Sequence, residues 1–172
     1  MLNVKTKTLI SEEEIKKRVT DCGKRLKEKY DGKPLLFVGL LKGSFIFLAD
    51  LVRATQMQCE ITFIKTKSYR SGKERSELTV DFDEDIDFGK FNVVIVEDIV
   101  DTGYTLKEVT KLIAKKNPIS LYVIALIDKP SGREIEYSPD ECLFEVGNEF
   151  IVGYGLDMDG YWRNLPYIAA VI

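Results

Sequence analysis

The chain has 172 residues, 45% hydrophobic and 31% charged, with a net charge of −3, the proportions of an ordinary globular domain in water. It contains no histidine, which removes the commonest general base and the commonest metal ligand and leaves acid–base work to carboxylates, lysines and tyrosines. A pI of about 5.2 argues against a protein whose main task is coating nucleic acid, and no apolar run approaches the ~20 residues that span a bilayer.

The opening residues, MLNVKTKTLISEEE, lack the apolar centre of a secretory signal, so a cytoplasmic protein is expected. Ser11 stands three residues before Glu14 as a capping box, and Ile15, Val19, Cys22 and Leu26 then share one helical face until Asp31-Gly32. Residues 35–39 form a short apolar run, the first core strand, and the turn Lys42-Gly43-Ser44 opens an apolar helix over 45–53. Residues 61–64 read as the next strand. The polar, basic stretch 65–77, KTKSYRSGKERSE, is a loop or ribbon: either plain solvated loop or a lid whose Ser68 and Tyr69 close over a polyphosphate. The acidic run 81–87, DFDEDID, reads as a solvated edge. Residues 93–96, VVIV, are what a strand covered on both faces requires, and Glu97 and Asp98 follow where it should end. Asp101 comes next, and Thr102, Gly103, Tyr104 and Thr105 lead into helical spacing at Leu106, Val109, Leu112 and Ile113. Asn117-Pro118 stops that helix, and residues 121–127 supply another strand with Lys129-Pro130 at its tip. The tail segment 150–157, FIVGYGLD, combines an aromatic ring, glycine turns and an acid. Cys22, Cys59 and Cys142 are odd in number, far apart and set among apolar neighbours, which fits reduced thiols.

Strands alternating with helices imply an α/β fold, a mostly parallel sheet flanked by helices in one main domain. Ligands of such sheets gather at the strands' carboxyl ends. Two adjacent carboxylates there raise each other's pKa unless a cation or hydroxyl donors share them. A turn of small and hydroxyl residues entering a helix N-terminus offers backbone N–H groups and a positive dipole end to a phosphate. Acids for sugar hydroxyls or a metal beside a cradle for a phosphate describe a site for a phosphorylated ribose. The Lys42-Gly43-Ser44 turn can offer further N–H groups to an anion, and the fork of Arg163 suits pyrophosphate oxygens. Lys129 could donate to a carbonyl oxygen on a bound base, and the 150–157 segment could stack and edge-bond a planar ring. Magnesium, a hard oxygen-bound cation, is the natural metal for this chain.

The unbroken order in VVIVEDIVDTGYT of strand, Glu-Asp, two aliphatics, Asp-Thr-Gly-x-Thr and helix resembles the phosphoribosyl pyrophosphate (PRPP) signature of type I phosphoribosyltransferases. Together with LLKGSFIFLADLVR, KTKSYRSG, the Lys129 strand tip and FIVGYGLDMDGYWRNLPYI, the chain from about Ser11 to Ile172 resembles the hypoxanthine-guanine phosphoribosyltransferase family. Lys129 and the 150–157 segment mark its 6-oxopurine branch. The resemblance implies the type I phosphoribosyltransferase fold, with a core over about 11–145 and a small hood over about 146–172 joined by part of the N-terminal region. It implies transfer of the 5-phosphoribosyl group from PRPP to hypoxanthine and/or guanine, with xanthine a further candidate, giving IMP or GMP and pyrophosphate. On that basis Glu97 and Asp98 hold the ribose hydroxyls and magnesium, and Thr102, Gly103, Tyr104 and Thr105 bind the 5′-phosphate. Asp101, also beside the ribose, acts near purine ring nitrogen 7 as general base or proton holder, and Ser68 and Tyr69 belong to the catalytic loop. Lys129 donates to the 6-oxo group, Phe150 stacks on the base and the Ile151 backbone reads its edge. Asp157 binds a second magnesium beside the base, and Arg163 and the Lys42-Gly43 turn, entered through a cis peptide bond, take pyrophosphate. Tyr104 departs from those relatives that carry lysine there. The family also implies a homodimer or homotetramer with small-molecule partners and neither nucleic acid nor membrane. The competing readings are a pyrimidine or adenine phosphoribosyltransferase, and an RNA-binding regulator of the same fold, which would need a basic face.

Overall fold

The computed structural model describes residues 5–67, 70–71, 74–75, 79–81 and 85–172. In chain order its elements are β1 (Thr6–Ile10), α1 (Glu12–Tyr30), β2 (Leu35–Leu41), α2 (Phe45–Thr55), β3 (Glu60–Lys67), the short pair β4 (Arg70–Ser71) and β5 (Glu74–Arg75), β6 (Thr79–Asp81), β7 (Asn92–Val100), α3 (Tyr104–Ala114), β8 (Ser120–Asp128), β9 (Glu141–Glu145), β10 (Ile151–Val152) and β11 (Ile168–Val171). The main sheet runs β6-β3-β2-β7-β8-β9. Its five strands from β3 to β9 are parallel, and β6 pairs antiparallel at the β3 edge.

The apolar runs of β2 and β7 are buried on both faces, which explains why they show no polar alternation. Because successive side chains point to opposite faces, Leu35, Phe37, Val94 and Val96 pack with α1 and α2 through Ile15, Val19, Leu26, Phe47, Leu48 and Leu51. On the other face Leu36, Val38, Val93 and Ile95 meet Leu106, Val109 and Ile113 of α3. The capping box that starts α1 is present: the Glu14 N–H donates to Ser11 Oγ (3.3 Å) and the Ser11 N–H to Glu14 Oε2 (2.9 Å). Cys22, Cys59 and Cys142 are free thiols. Among the described residues no helix is long and apolar enough to cross a membrane.

Helices α1 and α2 approach closely at Gly23, where a Cβ would stand 2.7 Å from both the carbonyl carbon and the Cβ of Ala54. Alanine gains up to ~1 kcal/mol of helix propensity over glycine, yet here it must push α2 away. Gly23→Ala is therefore expected to destabilise the fold by about 1–3 kcal/mol, the cost of overpacking, as measured by denaturant unfolding.

A second, antiparallel sheet, β1-β11-β10, joins the start of the chain to its tail, with Thr6 opposite Val171 and Ile151 opposite Ala170. Its inner strand β11 is buried at Ile168, Ala169 and Ala170. Neither β1 nor β11 was expected from sequence: β1 exposes most of its short length, and its partner lies at the other end of the chain. Strand β9, also unforeseen, lies at the sheet edge beside β8, with Glu141 opposite Ile124.

Candidate active site

Strand β7 loses its β2 neighbour after Val96, which pairs with Gly39, but β8 accompanies it on to Val100 opposite Asp128. Glu97 and Asp98 therefore lie within the strand, not after its end as the sequence suggests. The strand outruns its apolar run because pairing with β8 supplies partners beyond residue 96. The Asp98 N–H donates to Glu97 Oε1 (3.1 Å), and the Ile99 N–H donates to Asp98 Oδ1 (2.9 Å).

Glu97 is only 8% exposed. Burial first, and then the neighbouring Asp98 carboxyl, push its pKa well above the ordinary 4.5. A raised carboxyl binds its proton more tightly in the folded state than in the unfolded chain, so its contribution to stability is present at low pH. It is lost as pH rises from the unfolded value near 4.5 toward the raised folded one. Glu97→Gln removes this titration. Its unfolding midpoint, measured by thermal scans without PRPP, is expected to gain on wild type as pH rises above the ordinary carboxyl value of 4.5; a difference that does not change with pH contradicts the assignment.

Opposite Asp98 lies the turn between β2 and α2. The Leu41–Lys42 peptide is cis, and a Cβ on Gly43 would fall 1.4 Å from Asp98 Oδ2, so only glycine allows this turn to touch the acid. Ser44 is fully buried and its Oγ donates to the Leu40 carbonyl (2.6 Å). Lys42 itself is exposed.

Beyond β7, residues 101–103 turn into α3. Gly103 caps the helix at φ +89°, and the first bond back into the turn is from the Lys107 N–H to the Gly103 carbonyl (3.0 Å). The N–H groups of the first helical turn have no partner within the helix. A cleft of about 90 Å³ lies here, lined by Glu97, Ile99, Val100, Asp101, Thr102, Gly103, Thr105 and Leu106. Tyr104 does not line it. The Asp101 carboxylate leans on the next segment: a Cβ on Gly132 would stand 1.8 Å from Asp101 Oδ1.

Lys129 follows β8, its N–H donating to the Val100 carbonyl (2.9 Å) and its Nζ to the Glu149 carbonyl (2.7 Å). It thus borders both the cradle strand and the tail. Phe150 is 55% exposed, whereas Ile151 is buried in β10. Asp157 and Arg163, which sequence reading assigns to a metal and to pyrophosphate, pair with each other (2.6 Å). Arg163 Nη1 also donates to the Gly155 carbonyl (2.6 Å), and the Gly160 N–H donates to Asp157 Oδ2 (2.7 Å). The tail turn abuts the Lys42–Gly43 turn, since a Cβ on Gly155 would lie 2.0 Å from the Gly43 carbonyl oxygen. Ser68 and Tyr69 lie outside the described residues.

Two contacts escape the sequence reading. Tyr154 Oη donates to Asp50 Oδ2 (2.7 Å), fastening the tail to α2; burial, and then this carboxylate, push the phenol well above its ordinary pKa. Arg133 Nη1 donates to the Asp101 carbonyl (2.8 Å). Arg133 belongs to no motif that would have announced it, and Tyr154, though inside the 150–157 segment, takes a partner 104 residues away.

No group of three or more carboxylates or cysteines is gathered as a metal cage among the described residues. The Glu97–Asp98 pair and Asp157 instead fit magnesium's other habit, in which one or two carboxylates share the ion with substrate phosphates.

A family profile described as "Phosphoribosyl transferase domain" matches residues 6–159. Hypoxanthine phosphoribosyltransferase of Escherichia coli K12 is 43% identical over 169 residues, covering 95% of this chain and 94% of that protein. Hypoxanthine-guanine phosphoribosyltransferase of Aquifex aeolicus is 42% identical over 171 residues, covering 97% and 95%. The crystal structure of a Staphylococcus aureus hypoxanthine phosphoribosyltransferase superposes with a TM-score of 0.90 at 36% identity, covering 96% of this chain and 91% of that one. With an acid pair and a glycine-capped cradle on a parallel sheet, and likeness along nearly its whole length, the chain belongs to the phosphoribosyltransferase family and, within it, to the hypoxanthine-guanine phosphoribosyltransferases.

Proposed function

We propose that this protein is a purine-salvage enzyme that transfers the 5-phosphoribosyl group of PRPP to hypoxanthine and/or guanine, forming IMP or GMP and pyrophosphate. The observation that carries this reading is the meeting of an acid pair, with Glu97 buried and Asp98 half-buried, a cleft at the start of α3 and the Lys42–Gly43 turn at the carboxyl ends of β2 and β7. Such a site offers one partner to each part of PRPP.

The 5′-phosphate sits in the cleft against the N–H groups of residues 102–105, and Glu97 and Asp98 accept from the ribose hydroxyls. Pyrophosphate takes the Lys42–Gly43 turn and Arg163, whose guanidinium has five donors and so keeps some beyond those given to Asp157 and Gly155. Glu97 and Asp98 would hold one magnesium and Asp157 a second, which when bound would neutralise charge on the departing pyrophosphate. Fixed donors aimed at that developing charge need no reorganisation as the anomeric bond breaks, and this is the main source of rate. The sugar passes through a state with oxocarbenium character, so water must be kept out. Ser68 and Tyr69 and the small sheet around β10 and β11 serve that exclusion, the sheet acting as a hood. Asp101 accepts or relays the proton at purine nitrogen 7. Phe150 stacks on the ring and the Ile151 backbone reads its edge. The proposal extends to a cytoplasmic homodimer or homotetramer, which sedimentation would test.

Lys129 donates to the 6-oxo oxygen. An amino group at that position would confront donor with donor, and a site built around a hydrogen bond rejects analogues that leave it unpaired. Lys129→Ala is expected to raise KM for hypoxanthine about 10- to 100-fold while leaving KM for PRPP within about twofold, in initial-rate assays varying each substrate. The reading as a whole is tested by pyrophosphate release with PRPP, magnesium and a panel of nucleobases. Release with hypoxanthine or guanine is expected; release only with adenine or a pyrimidine would overturn it.

A further inference from the structure

The cradle turn is held from behind by the segment that follows β8. Arg133 Nη1 donates to the carbonyl of Asp101 (2.8 Å) and the Glu134 N–H to the carbonyl of Thr102 (3.2 Å). In a planar trans peptide the C=O and the N–H of the next residue point in opposite directions. Fixing the carbonyls of residues 101 and 102 on one side therefore fixes the N–H groups of Thr102 and Gly103 on the other. Both residues line the cleft.

Arg133 is well placed to impose that orientation. Its Nη2 pairs with the carboxylate of Asp128, the last residue of β8, and the two side chains are 15% and 20% exposed. The guanidinium fork is thus tied to the sheet at one tine and to the turn at the other, a bridge for which a planar, rigid fork is pre-organised and a compact, freely rotating ammonium is not. Its stem also packs on the cap: a Cβ on Gly103 would lie 3.3 Å from Arg133 Cδ. The contact belongs to the cradle: Arg133 binds the Asp101 carbonyl and Asp128, whereas Asp157 and Arg163 bind each other, Gly160 and Gly155.

We propose that Arg133 is a positioning residue for 5′-phosphate binding: by holding the Asp101 carbonyl against the end of β8, it aims the cradle's amides at the phosphate without touching substrate. This rests on the PRPP reading above.

The test uses the full chain with Arg133→Lys, Arg133→Gln and Asp128→Asn. Each is measured for KM of PRPP and of hypoxanthine, for inhibition by ribose 5-phosphate and by pyrophosphate, and for its unfolding midpoint. The two Arg133 variants are expected to raise KM for PRPP and the inhibition constant of ribose 5-phosphate by about tenfold or more, the loss that a misdirected hydrogen bond to a charged group brings. KM for hypoxanthine and inhibition by pyrophosphate should stay within about twofold. Asp128→Asn, which keeps an acceptor but loses the charge, should shift the same two constants less. If Arg133→Gln does not fold, Arg133→Lys and Asp128→Asn decide. The proposal is overturned if ribose 5-phosphate inhibition stays within about twofold of wild type, or if all four constants worsen together as the unfolding midpoint drops, which is what a purely structural ion pair would do. A wild-type chain that makes no nucleotide from PRPP and any base would instead bring down the functional reading beneath it.

Discussion

Replacing Asp101 by alanine is expected to lower kcat by about 100- to 10,000-fold, the span that a positioned proton acceptor contributes, while PRPP affinity changes by no more than about threefold. The chain offers no histidine for the task. Asp101 stands at the rim of the cleft, exposed, one step before the cradle turn and with its carboxylate against Gly132. Its structural work is done by its backbone carbonyl, which receives Arg133, so removing the side chain leaves the turn in place. Asp101→Asn keeps the shape and a hydrogen-bonding group but loses basicity, and should fall nearly as far as alanine. Single-turnover rates and calorimetry with PRPP separate the two effects. A variant that retains kcat within about tenfold, or that loses PRPP affinity in proportion to rate, would discredit the role.

The second large effect is expected at Gly155. This residue has φ +102°, and a Cβ on it would stand 2.0 Å from the carbonyl oxygen of Gly43. Its own N–H donates to the Arg163 carbonyl (2.9 Å), and its carbonyl accepts from Arg163 Nη1 (2.6 Å). Alanine must adopt a strained backbone and also drive the tail turn away from the Lys42–Gly43 turn, neither of which a flexible side chain can relieve. Gly155→Ala should cost about 2–4 kcal/mol of stability. It should also lower kcat/KM more than tenfold where the protein remains folded, roughly the loss of one well-placed interaction at the reacting end of PRPP. Gly160 provides the control. It too has positive φ, +86°, but nothing lies within 4 Å of its Cβ position, so Gly160→Ala should cost about 1–2 kcal/mol from backbone conformation alone with little change in rate. Denaturant unfolding and steady-state kinetics on both variants distinguish crowding at the Lys42–Gly43 turn from backbone strain.

What could be read from the chain and what could not divides along contact range. The cores of β2, β7 and β8 were legible because strands covered on both faces are written as contiguous apolar runs. The cradle was legible because its acids, glycine cap and helix start are contiguous too. Strand ends were misjudged because pairing, not composition, sets them: β7 continues through Glu97 and Asp98 to Val100 only because β8 runs beside it. The resemblance implied a hood joining 146–172 to the N-terminal region, but the residues alone did not show β1 and β11, because β1 carries no alternation and meets its partner from the opposite end of the chain. Arg133 and Tyr154 were missed for the same reason, their partners lying 32 and 104 residues away. The pairing of Asp157 with Arg163 was not foreseen although both were singled out, since sequence spacing alone gives no side-chain direction across a turn with residues at positive φ.

The most direct test of the central claim, that the acids of β7 and the amides of the cradle grip one activated pentose, is a calorimetric titration of the full chain with PRPP in the presence of magnesium. The account predicts saturable heat with one PRPP per chain, weakened in Glu97→Ala and Asp98→Ala and competed by ribose 5-phosphate. An absence of heat from the wild-type chain, or binding that both substitutions leave untouched, would contradict it.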